Sequence, residues 1–203
     1  MPAIVHALRD ATRVAHARLD AASPISTPHL TLAAYHELLG RYLAAHRAVE
    51  TALEPWSAAL GSIGVTIDER RKVPALLADR AFTGSQLART VDHASLAIEF
   101  SLPSLASALG ALYVMEGSTL GGQHLLRELL KSEMVVRSGL RADAGLAYFT
   151  GYGSRTGDMW RQLLRVLGDA DARNPGERDA IIHGAQHAFA LFERALSGDN
   201  TSP

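Results

Sequence analysis

The chain has 203 residues, 47% hydrophobic and 20% charged, with 20 Lys and Arg against 21 Asp and Glu for a net charge of −1. That length suits one large domain with its own core, and a near-neutral chain without a basic cluster argues against nucleic acid or a membrane surface as partner. There is no cysteine, which excludes disulfides, thiolate zinc sites, iron–sulfur clusters and cysteine nucleophiles, so a bound metal must draw on the nine histidines or on carboxylates.

Helical periodicity runs through the sequence. Residues 3–22 place Val5, Leu8, Thr12, Ala15 and Leu19 on one face, and the segment becomes charged too early for a signal peptide. Pro24 and Pro28 end that helix. Thr31 is the expected N-cap of a second helix reaching about Leu53. Over "DERRKVPALLADRAF" the pattern predicts one or two short helices, with Asp68 as cap and Pro74 as an interruption. Residues 84–104 read as connectors with short helical pieces. A long helix follows from Pro103 to about Lys131, with a bend expected at its glycines. A "GYGSRTG" break, a further helix, a last helix over "NPGERDAIIHGAQHAFALFERAL" and a flexible tail at 199–203 complete the chain. Strand alternation is absent. The expectation is an all-α, single-domain protein of residues 1–198, cytoplasmic and monomeric, since its longest uncharged stretch (100–115) is short for a membrane span.

Two stretches carry chemistry. On the first helix Arg9, His16 and Asp20 fall within about 40° of one another on a helical wheel. Asp20, four residues after His16, can hold one ring nitrogen and leave the other for a metal. A surface ion pair explains the same spacing, and is the commoner case. In "YVMEGSTLGGQHLL", Gly117, Gly121 and Gly122 each cost the long helix about 0.5–1 kcal/mol relative to alanine. Close packing of a second helix would explain them; so would a flat ligand lying on bare backbone, with Ser118 and Thr119 supplying hydroxyls.

"LRDATRVAHARLDAA" together with "GALYVMEGSTLGGQHLL" resembles the haem oxygenases, more closely the bacterial, biliverdin-producing branch. The resemblance implies that His16 is the proximal iron ligand, followed by the acid Asp20. Arg9 and Tyr113 would contact haem propionates, and Gly117, Ser118, Gly121 and Gly122 would form the distal wall and oxygen pocket. It implies haem b as both cofactor and substrate, cleaved with dioxygen to biliverdin, carbon monoxide and ferrous iron. The partners implied are an external electron donor of ferredoxin or flavin-reductase type and, beyond it, either iron acquisition or a biliverdin-accepting photoreceptor. One departure stands out: mammalian-type members carry an aspartate where this chain has Ser118. A haem-binding protein without turnover is therefore the alternative, and another small-molecule reaction on a similar all-α scaffold ranks third.

The remaining histidines read as packing or surface groups. His183 and His187 are one turn apart but lack a third ligand nearby. His29, His36, His46 and His93 are isolated. His124 lies about 200° from Gly122 and is expected to point away from the wall. Trp160, Phe189 and Phe192 fit a core or a pocket rim. Arg155 and Lys131 fit solvated charge.

Overall fold

The computed structural model describes residues 1–26, 29–87 and 98–197. Residues 88–97 of the expected connector, His93 among them, and the tail at 199–203 lie outside the described residues. The first helix, α1 (Ala3–Ala22), buries Ile4, Val5, Leu8 and Thr12. Its apolar stripe fades after Thr12, so Ala15 and Leu19 are only half-buried. The C-terminal half of α1 thus stands with one flank open.

Helix α2 (Leu32–Leu53) starts where expected, with the Thr31 hydroxyl accepting from the Ala34 amide. After the short α3 (Ser57–Ser62) comes α4 (Val73–Gln86). Pro74 does not interrupt α4: it lies in the first turn, where its missing N–H is no loss. Nor does Asp68 cap it. The amides of Lys72 and Val73 donate instead to Glu50 Oε1 of α2, at 2.6 and 3.0 Å. A cap supplied from a distant helix has no local sequence signature.

The central element is α5 (Leu105–Leu129), opened by a reciprocal capping box between Ser104 and Ser107. The helix is continuous through Gly117, Gly121 and Gly122. Short helices α6 (Glu133–Ser138) and α7 (Ala147–Thr150) lead to α8 (Thr156–Arg173) and α9 (Arg178–Ser197). Helix α5 packs on α7, α8 and α9; α1 packs on α8 and α9. The crossing of α5 and α9 is tight because two glycines meet there. A Cβ on Gly110 would lie 2.0 Å from the Ile181 carbonyl oxygen, and one on Gly184 would lie 2.2 Å from that of Ser107. Among the described residues no β-strand forms, and an isolated bridge joins Arg141 to Ala144. The chain is an all-helical single domain, as the periodicity predicts.

Candidate functional site

The open flank of α1 carries Arg9, His16 and Asp20, all exposed. The His16 imidazole reaches Asp20 through Nδ1, at 3.0 Å from Oδ2, with the two side chains 64% and 71% exposed. That bond leaves Nε2 as the nitrogen able to take a metal. The ring is fixed from beneath by an edge-to-face contact with Phe189 of α9, centroids 6.1 Å apart. Arg18 pins the same stretch of α1 to α9 through Glu193, at 2.8 Å.

On α5 the glycines divide into two kinds. A Cβ on Gly121 would meet nothing within 4 Å, and one on Gly117 would meet only the edge of Trp160 at 3.8 Å. Neither glycine serves helix packing; together they leave a strip of bare backbone. Gly122, by contrast, is buried against Phe149 of α7, whose atoms a Cβ would meet at 3.7 Å. It packs α7 and lies outside the open strip. The strip therefore centres on Gly121, with Gly117 and Ser118 flanking it. His124, three residues after Gly121, falls about 60° from it rather than facing away, and it is exposed. The expectation that it points away took Gly122 as part of the wall.

Ser118 is exposed on this face. Its hydroxyl donates to the Met115 carbonyl oxygen at 2.7 Å, and Thr119 Oγ1 donates to the same oxygen at 2.9 Å. Thr119 itself is buried, against the Gly151 turn. Of the two residues, Ser118 is the exposed one.

Aromatic side chains lie near both the α1 flank and the α5 strip. At one end the Arg9 charge acts on the Tyr113 phenol, and Tyr113 stacks at 5.4 Å on Trp160, the residue beside Gly117. Burial raises the Tyr113 pKa, and Arg9 partly offsets this. The floor is α9, with Phe189 under His16 and Phe192 against His46. At the other end Tyr42 feels the Asp20 charge, burial having already raised its pKa to about 12. Tyr42 in turn packs on Tyr148, 5.1 Å between centroids, whose hydroxyl lies 2.9 Å from His46 Nε2. Arg9, His16 and Asp20 thus lie on the exposed flank of α1, Gly117, Ser118 and Gly121 on the side of α5 that α7 does not cover, and α1 and α5 both pack on α8 and α9.

Behind α5 lies a group that local patterns do not reveal. Glu116 is 1% exposed, and Arg70, 2% exposed, places Nη1 at 2.8 Å from its Oε2, an ion pair off the hydrogen-bond axis. Lys72 Nζ lies 3.6 Å from Oε1, and the Tyr152 hydroxyl donates to Oε1 at 2.5 Å. Lys72 also donates to Tyr152 and sits over its ring. Burial lowers the Lys72 pKa to about 8, against the pull of Glu116. Two cations and two carboxylates, Glu50 being the second, balance in this interior. The nearest sequence signal is "EGS" itself: a charge beside a glycine inside an otherwise apolar helix.

Elsewhere the histidines pack or face solvent. His36 is buried against Thr83 at 2.8 Å and His46 against Tyr148 at 2.9 Å. His187 stacks on Phe100 at 4.4 Å, which removes it from a metal pair with His183. Lys131 pairs with Glu128 at the surface, and Arg155 is exposed.

The fold is a small helical domain in which a histidine-bearing helix and a helix of partly bare backbone pack on the same two helices. Residues 3–197 match the sequence model of the family described as "Heme oxygenase", and the chain belongs to the haem oxygenase family. It is similar to a curated haem oxygenase from Xanthomonas campestris pv. campestris, 29% identical over 174 residues that cover 84% of this chain and 93% of that one. Its fold is similar to that of the Neisseria meningitidis haem oxygenase solved in NO- and CO-bound forms, with a TM-score of 0.71, 18% identity and 98% of each chain covered. Among the described residues no helix is long and apolar enough to cross a membrane.

Proposed function

We propose that this protein cleaves haem to biliverdin, carbon monoxide and ferrous iron, as a member of the bacterial biliverdin-producing branch, with electrons from an external donor of ferredoxin or flavin-reductase type. The reading is supported by His16, its Nδ1 already held by Asp20, and by a glycine strip that no described side chain fills, on two helices that both pack against α8 and α9. The donor set suits haem rather than a bare ion, because haem iron asks one imidazole of this wall where structural zinc would ask several ligands. Among the described residues no cluster of three metal-ligating side chains forms.

In this reading His16 takes the iron through Nε2, and Asp20 fixes the ring and raises its basicity. Bound haem supplies the iron at which dioxygen is activated. Phe189, under the imidazole, restricts its tilt. Arg9 stands at the Tyr113 end of the cleft with a planar donor fork suited to a propionate. Gly117 and Gly121 leave room for a small ligand above the ring plane, and Ser118 offers it a hydroxyl. Haem entering the cleft would cover the exposed His16 side chain and the half-buried stripe of α1, which accounts for the loss of apolar burial along that helix after Thr12.

The experiment is reduction of the haem complex under oxygen with a ferredoxin or flavin reductase system. Conversion of the Soret band to the absorption of biliverdin supports the proposal; haem left intact after prolonged reduction makes the protein a haem carrier instead.

A further inference from the structure

The turn of α1 that carries His16 is held to α9 on both of its flanks. On a helical wheel with Leu8 at zero, Ala15 and Leu19 lie within about 20° of the centre of the apolar stripe, and both pack, half-buried, against the core to which α9 contributes. His16 falls about 80° to one side of that stripe and Arg18 about 80° to the other. Each meets α9. The His16 ring lies edge-to-face on Phe189, and Arg18 grips Glu193 at two points, Nε to Oε1 at 2.8 Å and Nη2 to Oε2 at 3.3 Å. Phe189 and Glu193 are four residues apart and share one face of α9. One turn of α9 therefore touches both flanks of one turn of α1. Gln186 of α9 adds a longer bond, 3.4 Å, to the Ala11 carbonyl oxygen on the Arg18 side.

The Arg18 side chain is 64% exposed, and an exposed ion pair contributes little to stability. A two-point pair between a planar guanidinium and a carboxylate nevertheless fixes an angle, because both bonds survive only over a narrow range of orientations. The apolar stripe past Thr12 supplies little restraint of that kind, since the contacts of Ala15 and Leu19 are non-directional. What the pair restrains is the roll of α1 about its own axis. A roll of about 10° moves a group at the rim of a helix, about 5–6 Å from the axis, by about 1 Å. Metal–ligand distances tolerate about 0.2 Å. A side chain on the far flank of α1 can therefore aim the imidazole without approaching it.

We propose that Arg18 is a positioning residue for the haem iron: through Glu193 it sets the roll of α1 over α9, and with it the direction in which His16 presents Nε2. This role presupposes the haem reading, and one set of variants separates the two. Hemin loss to excess apomyoglobin is followed for wild type, Arg18→Ala, Glu193→Ala and the double variant. It is also followed for His16→Ala, with and without Arg18→Ala, in the absence of imidazole and at saturating imidazole. Each single variant should lose hemin about 2- to 5-fold faster than wild type, the size of one exposed ion pair. The double variant should be no faster than either, because the two side chains act as one contact. With free imidazole as the iron ligand the roll of α1 no longer aims it, so Arg18→Ala should then leave the rate unchanged. A wild-type rate in Arg18→Ala overturns this inference and leaves the haem reading standing. The same acceleration in the imidazole-bound background also overturns it, since Arg18 would then loosen the protein rather than aim His16. Hemin lost from His16→Ala without imidazole no faster than from wild type overturns the assignment of the iron ligand, and this inference with it.

Discussion

One helix, α5, carries glycines for opposite reasons. At Gly110 the backbone of α9 is so near that a side chain has no place, with Ile181 O 2.0 Å from where a Cβ would be. At Gly121 a Cβ would meet nothing within 4 Å. The first glycine is there because a neighbour is present, the second although no neighbour lies within 4 Å among the described residues. Helix propensity penalises both equally, by about 1 kcal/mol, so the sequence treats them alike. Only at Gly110 does packing offset the penalty within the protein itself. At Gly121 no offset is visible among the described residues, which is what the proposed ligand wall would explain.

The same helix contrasts front to back. Its front is open at Gly117, Ser118 and Gly121, and its back, one residue before the strip, buries Glu116 among Arg70, Lys72 and Tyr152. A wall without side chains cannot hold itself in place, and the buried charges tie it to the turns on either side. Glu116→Ala leaves two cations buried without their carboxylate, and should destabilise the protein by about 3–5 kcal/mol in urea unfolding. Gly110→Ala or Gly184→Ala drives α5 from α9 and should lower stability by about 3 kcal/mol. If either substitution were neutral, the tight crossing would not be what fixes α5.

His46 adds a pH dependence to the back wall. Its pKa falls from 6.5 to about 3 on burial, so between these values the unfolded chain binds a proton that the folded one refuses. Stability is complete above about pH 6.5 and declines as pH falls toward 3. The melting temperature should drop over that window, and the drop should be smaller in His46→Gln. The smallest effect is expected at the front. Gly121→Ala should raise stability by about 0.5–1 kcal/mol, seen as a melting temperature about 2–4 °C higher without haem, while crowding the ligand side of the loaded cleft. A loss of stability there would place an unseen protein contact on the strip.

Much of this was legible in the chain because the signals were local. The α1 stripe is a matter of spacing, and the Thr31 cap and the glycine strip stand in the letters themselves. What could not be read depends on partners far away in sequence. Glu50 caps α4 from 22 residues before Lys72, and Tyr148 reaches His46 across 102 residues. Gly122 looks identical to Gly121 until Phe149 is seen beside it, and His124 was assigned the wrong direction because that difference was invisible. Gly110 and Gly184 gave no warning, since each is an isolated glycine whose reason is the other helix.

The most direct test is a hemin titration of the purified protein alongside His16→Ala. An exposed residue on a solvent-facing flank leaves the fold intact, so both proteins should melt within about 1 °C of each other without haem. The wild type should bind hemin with the Soret band of a histidine-ligated complex, and the variant should lose that band, regaining it with added imidazole. An unchanged spectrum in His16→Ala would contradict the account, because the iron would then be held by a residue other than the proposed ligand.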